Sequence, residues 1–169
     1  MRISGRLVFR ERGTQVQVYD PASKKAETLD AVKGSILHWS LDGQHFASIH
    51  GARQADDSEA GVWVYDSHGG SPRQVFCGWV TSYAWTGADE MFVLGGKPNL
   101  DGIVWRVRLD GSPPVRTRTV LRLNLALTDA SSNPTAAYST FDVHPGRRRI
   151  VTEAFRFQES DISMIENIR

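Results

Sequence analysis

At 169 residues and 40% hydrophobic composition, the chain has the length and apolar content of one globular domain. Lys+Arg 20 against Asp+Glu 19 leaves a net charge of +1, which excludes a general electrostatic pull toward nucleic acid or an anionic membrane. Cys77 is the only cysteine, so an intrachain disulfide framework and a cysteine zinc cage are also excluded.

The first residues, MRISGRLVFRERG, carry four arginines (Arg2, Arg6, Arg10, Arg12) and no apolar core, unlike a signal peptide. The expected location is the cytoplasm for a complete chain, or the periplasm for a piece of an exported protein. No apolar run approaches the ~20 residues of a membrane-spanning helix. Strands are expected near Leu7, Val16 and Glu27. The run VQVYDPASKKAETL places Tyr19 and Asp20 ahead of a turn.

Beyond it, three segments share one pattern: WSLDGQHFASI from Trp39, WTGADEMFVL from Trp85 and VHPGRRRIVTE from Val143. In each, an apolar anchor precedes a polar turn and a second apolar run. That run opens at Phe46, Phe92 and Ile150, each seven positions after its anchor. Third strands follow around Tyr65, Leu109 and Ile165. Tyr19 to Tyr65 spans 46 residues and Tyr65 to Leu109 spans 44. The runs are short, rich in Val, Ile, Phe, Trp and Tyr, and bounded by Asp42-Gly43, Gly69-Gly70, Asp110-Gly111 and Pro145-Gly146. Those are strand and hairpin signals. No segment carries a helical apolar stripe; residues 125–133 suit a turn or two at most.

Alternation selects the architecture. Ile103, Trp105, Val107 and Leu109 share one face, opposite Arg106 and Arg108. Val62 and Val64 oppose Trp63 and Tyr65, so that strand is apolar on both faces and belongs between two other sheets. A period in the mid-forties with four strands per unit matches propeller blades rather than an immunoglobulin sandwich. The expected fold is therefore all-β, a β-propeller-like repeat of four-stranded antiparallel blades, incomplete or closed by self-association. Blades are expected at 1–33, 34–77, 78–124 and 136–169, with a connecting loop over 125–135 and fourteen strands in sheets of three, four, four and three. An open arc of this kind is expected to leave Val16 and Val18 bare at one end, and Ile162 and Met164 at the other.

The units resemble the WD-like repeats of TolB-type propellers, most closely in WSLDGQHFASIHGARQADDSEAGVWVYDSHGGSPRQVF (Trp39 to Phe76). The Trp85 unit departs from this pattern with Gly87-Ala88-Asp89, and the Val143 unit with His144-Pro145-Gly146. The resemblance covers nearly the whole chain and implies a fold, while leaving the function open. Relatives of this type include translocation-associated periplasmic proteins, sensor domains of kinases and regulators, and non-catalytic propellers of peptidases.

In a propeller, loops between second and third strands and between blades share one end. Here these are residues 50–60, 95–102 and 155–160, with a long connection over 124–135. Long loops on a rigid scaffold are where binding sits. The candidate binding residues on that face are Arg53, Asp56, Asp57, Glu59, Lys97, Asp101 and Asp161. The loop from Arg53 to Ala60 is expected to serve a partner and contribute little to folding. No calcium-loop spacing accompanies its carboxylates. The histidines (His38, His45, His50, His68, His144) lack ligand spacing, so neither a metal nor a cofactor is expected. No nucleophile elbow, phosphate loop or dinucleotide fingerprint is present, so no catalytic residues are assigned. Arg147, Arg148 and Arg149, with Arg116, Arg118 and Arg122, read as a solvated turn and a guarded outer strand. Stacking aromatics are not interleaved with them, which disfavours nucleic acid.

The expected function is a non-enzymatic propeller segment that binds a protein or peptide through its loop face and self-associates, most simply as a homodimer. The alternative is the propeller portion of a larger enzyme (a peptidase or lyase), or the ligand-sensing domain of a regulator, with the catalytic part outside this chain.

Overall fold

A computed structural model describes residues 5–10, 15–51, 57–96, 101–122, 141–143, 149–156 and 159–166, the strands beyond 149 by their backbone alone. The first sheet runs β1 (Leu7–Arg10), β2 (Val16–Asp20) and β3 (Lys25–Leu29). The second runs β4 (Ser35–Trp39), β5 (His45–His50), β6 (Gly61–Asp66) and β7 (Arg73–Cys77). The third runs β8 (Val80–Trp85), β9 (Glu90–Gly95), β10 (Asp101–Arg108) and β11 (Val115–Arg122). The fourth runs β12 (Phe141–Val143), β13 (Arg149–Arg156) and β14 (Glu159–Glu166). Every neighbouring pair is antiparallel, and no helix occurs among the described residues.

The sheets stack face to face as blades. β4 touches β1 and β8, and β8 touches β12, so the leading strands of successive sheets line up along one side. Farther out, β7 of the second sheet meets β10 of the third. Among the described residues, no contact of that extent joins the fourth sheet back to the first. The described sheets form an open arc of propeller-like blades.

Among the described residues, two apolar seams join the sheets. Between the first and second sheets lie Val16, Val18, Leu29, Val32, Phe46 and Tyr65. Between the second and third lie Ala47, Ile49, Val62, Val64 and Phe76 against Tyr83, Trp85, Met91, Val93 and Val107. The double-faced strand expected at 62–65 is β6, with its valines in one seam and Tyr65 in the other.

The expectation that Val16 and Val18 lie bare at the open end is corrected by the pairing. Val8 pairs with Val18 and Arg10 with Val16, and this row faces the second sheet, where both valines are buried. The outward face carries Leu7 with Tyr19 and Phe9 with Gln17. Side chains alternate with period two, so the valines and Tyr19 cannot share a face. Ile162 and Met164 pair with Glu153 and Val151; their side chains lie outside the description.

A second correction concerns the repeat. Trp39 pairs with Phe46 and Val143 with Ile150, seven positions on as expected, but Trp85 pairs with Met91. The turn after Trp85 is one residue shorter. A one-residue slip reverses the face, so Phe92 pairs with Ala84 on the side away from the second sheet. In the row of Trp85 and Met91 the third-strand residue is Val107, where the second sheet has Tyr65. The 46- and 44-residue spacings hold instead at the aspartates of the turns that follow β2, β6 and β10. Asp20 accepts from Ala22 N–H (2.9 Å), Asp66 from His68 N–H (2.8 Å) and Asp110 from Ser112 N–H (2.9 Å). In each case a short carboxylate closes the turn to the fourth strand.

Tyr83 shows how one sheet completes another. β4 and β5 lose register between Ser35 and His38, where Ile36 has φ 54. That irregularity leaves backbone groups without a ladder partner, a costly state in a buried seam. The Tyr83 hydroxyl accepts from His38 N–H (3.0 Å) and directs its proton toward the carbonyls of Ile36 (2.8 Å) and Ala47 (2.5 Å). Trp85 Nε1 donates to His38 O at 3.1 Å. Burial pushes the Tyr83 phenol far up, so it stays protonated.

Candidate functional site

The loop end of the arc is built where β5 ends at His50, β6 begins at Gly61, and the connection from β3 arrives through Val32, Lys33 and Gly34. His50 Nε2 lies 3.2 Å from the Tyr65 hydroxyl, which also accepts from Lys33 N–H at 3.4 Å. The His50 ring stacks on Trp63 with centroids 5.0 Å apart and planes 16° apart. Gly34 makes this approach feasible. It has φ 86, and a Cβ there would stand 2.6 Å from His50 Cδ2 and 2.4 Å from Ile49 O. The Arg10 guanidinium donates to Gly34 O, tying the first sheet to the same point.

Burial pushes His50 below its ordinary value, outweighing the opposing pull of the Glu59 and Asp57 carboxylates. The ring is therefore neutral at physiological pH, held between an indole face and a phenol. Its polar atom and its face are both engaged. The arrangement offers a fixed aromatic and hydrogen-bonding surface edged by two carboxylates, rather than a poised nucleophile and base.

Asp57 and Glu59 are the two candidate residues that the structure brings to this cluster. Residues 57–60 are fastened to the blade. Trp63 Nε1 donates to Glu59 O (2.9 Å), and Gln74 Nε2 donates to Ser58 O (2.9 Å) and Ala60 O (3.0 Å). Gly78 N–H adds a bond to Ala60 O at 2.9 Å, and Ala60 is buried. The expectation that this loop contributes little to folding is thereby corrected for 57–60. Its polar composition conceals how many main-chain carbonyls the outer strand holds.

The other candidates fall elsewhere. Arg53, Asp56 and Lys97 lie outside the described residues, as does the connection over 125–135. Asp101 opens β10, opposite Arg122. Asp161 lies within β14 opposite Ala154, and the pairing continues through Phe155–Ser160 to Arg156–Glu159. Most of the segment expected as a loop over 155–160 is strand, so Asp161 is a strand residue. Sequence reasoning missed His50, having sought histidine pairs at ligand spacing. The signal for it is positional: a histidine ends the second strand just before the longest of the connections between second and third strands. Among the described residues no three His, Cys, Asp or Glu side chains gather as a metal would require, and no helix is long and apolar enough to cross a membrane.

No protein-family model and no curated protein matches this chain. Solved structures do. A prolyl endopeptidase structure aligns with TM-score 0.57 and 17% identity over 92% of this chain and 23% of that one. The β-propeller domain of the Trilobed protease from Pyrococcus furiosus, described as having an open velcro topology, aligns with TM-score 0.55 and 13% identity over 96% and 50%. A chain of the nidogen/laminin complex aligns with TM-score 0.57 and 14% identity over 97% and 60%. Similarity at this level shows the fold, which is propeller-like. The chain spans less than two thirds of each of these matched chains.

Proposed function

We propose that this chain is the propeller portion of a larger protein of the kind carried by peptidases, with the catalytic part outside these 169 residues. The observation carrying this reading is the open arc. Its blades superpose almost end to end on propellers, yet cover only 23% to 60% of the matched chains. Two of those three chains come from proteases. Among propellers, the Ser-Leu-Asp-Gly turn and the Tyr-Asp turn with its Gly-Gly pair favour the TolB-like type.

In this role the arc is a non-catalytic scaffold. Its first sheet presents Leu7 (59% exposed) and Phe9 (40% exposed) outward, at the place where a further blade stacks. Missing blades, or a second copy in the isolated chain, cover that face. The loop end, with His50, Asp57, Glu59 and Trp63, is where a protein or peptide is received. A binding module without any enzyme is the second reading, favoured by the match to a chain of the nidogen/laminin complex.

An antibody raised against this chain tests the proposal in cells that encode it. The expected result is a polypeptide well above 18.8 kDa whose immunoprecipitate cleaves peptides. A native product of 18.8 kDa without hydrolytic activity overturns it.

A further inference from the structure

At the outer rim, between the second and third sheets, lies an open groove of about 450 Å³ lined chiefly by Val75, Phe76, Cys77, Trp105 and Pro114. Its floor is the Phe76–Trp105 pair, with ring centroids 5.7 Å apart. The packing beneath leaves no slack: a Cβ on Gly95 would stand 3.0 Å from Phe76 Cζ. Along one wall runs β7, the last strand of its sheet, whose outer edge has no strand partner among the described residues.

Asp57 and Glu59 adjoin β7 through Ser58, which Gln74 holds, but on the face that carries Phe76 and Trp105 the charged residues are arginines. Arg73 pairs with Val64 and so shares the face of β7 that looks toward the third sheet. Arg116 pairs with Trp105 and shares its face. Arg118, two residues farther along β11, is exposed as well. Arg108 is bound by Asp110 at 3.1 Å; Arg73, Arg116 and Arg118 have no such acidic partner among the described residues. The two outer edges also differ. β11 carries exposed arginines at Arg116 and Arg118, which deter another strand from pairing. β7 reads RQVFC, with a single charge at its first residue.

We propose that this groove binds an extended acidic peptide segment, which adds a strand to the outer edge of β7. The peptide's main chain pairs with β7, an aromatic or branched side chain covers Phe76 and Trp105, and its carboxylates meet Arg73 and Arg116. Strand addition gains affinity from main-chain hydrogen bonds and specificity from alternate side chains. A terminal strand edge selects a polypeptide over other polyanions, because it offers N–H and C=O groups in ladder spacing. Strand addition at β7 is independent of whether the arc belongs to an enzyme or a binding module.

The test uses the synthetic peptide Thr-Glu-Thr-Phe-Thr-Glu-Thr, whose glutamates and phenylalanine share one face of a strand, a matched peptide with lysine in place of glutamate, and a single-stranded oligodeoxynucleotide. The acidic peptide is expected to bind, slow hydrogen exchange at the amides of residues 73–77, and slow alkylation of Cys77, the chain's only thiol. R73E and R116E are each expected to weaken binding about tenfold and to make its remaining loss with salt shallower. R116K should restore most of it. Both arginines are exposed, so circular dichroism should report an unchanged fold. Equal binding of the lysine peptide, indifference to both reversals, or an oligonucleotide that competes equally without protecting the β7 amides overturns the proposal.

Discussion

Tyr19 and Tyr65 occupy the same place in the repeat, each followed by the aspartate that closes the next turn. Tyr65 is 1% exposed, seated in the seam between the first two sheets and stacked on Phe46 at 5.2 Å. Tyr19 is half-buried beside the exposed Leu7. Local sequence does not separate them; the presence of a stacked sheet does. Burial in a blade is conferred by its neighbour, as expected for a fold whose units each contact only the next. The seam between the second and third sheets shows what a completed face contains. The outward face of the first sheet, with Leu7 and Phe9 exposed, shows one without a stacked sheet among the described residues.

The largest effect that sharpens this contrast is a core truncation. Met91 is fully buried in the second seam, so Met91→Ala should cost about 2–5 kcal/mol, whereas Leu7→Ala on the open face should change stability by under about 0.5 kcal/mol. Urea unfolding of the isolated chain measures both, and equal losses would break the comparison.

Tyr83→Phe comes next. It leaves the backbone groups around the β4 irregularity unpaired and should cost about 1–3 kcal/mol, while Tyr19→Phe should be silent. A silent Tyr83→Phe would mean that the seam does not depend on this hydroxyl.

The loop at the candidate site divides in the same way. Replacing residues 52–56 with a Gly-Ser linker should leave the melting temperature within a few degrees. Gln74→Ala releases Ser58 and Ala60 and should lower the melting temperature by roughly 2–4 °C, the equivalent of about 1 kcal/mol in a domain of this size. An unchanged melting temperature in Gln74→Ala would restore the view of this loop as a passive insertion.

The smallest effect is set by pH. Burial lowers both His38 and His50 from 6.5. The unfolded chain then binds more protons as pH falls through 6.5, so their contribution is complete above that value and is lost below it. Unfolding midpoints should fall on acidification from about pH 7.5 to about pH 5.5, and the H38Q/H50Q double variant should show a shallower slope over that window. Identical slopes would show that the two rings do not carry the dependence.

Much of the fold was legible in the sequence, because its signals are local. Strand-length apolar runs, turn glycines and the alternation in 62–65 and 103–109 carry the blades and their number. What was not legible is set by single-residue register. The shorter turn after Trp85 is invisible to a spacing count, yet it exchanges Phe92 for Met91 on the inner face. The site was less legible than the fold. Asp57 and Glu59 were singled out by charge as candidates, but the ties that fasten their segment run to carbonyl oxygens, which no side-chain pattern reveals. Tyr83 bridging a backbone irregularity in another sheet, and His50 stacked on Trp63, depend on contacts between strands that sequence proximity does not encode.

The account turns on the outward face of the first sheet being a surface that another sheet covers. Light scattering after size exclusion, at micromolar concentration, tests this on the isolated chain. The expected result is a self-associated species that the Leu7→Ser/Phe9→Ser double variant converts to a folded monomer, because both side chains are exposed and outside the seams. A wild-type chain that elutes as a stable, well-folded monomer, with the double variant indistinguishable from it, would contradict the account.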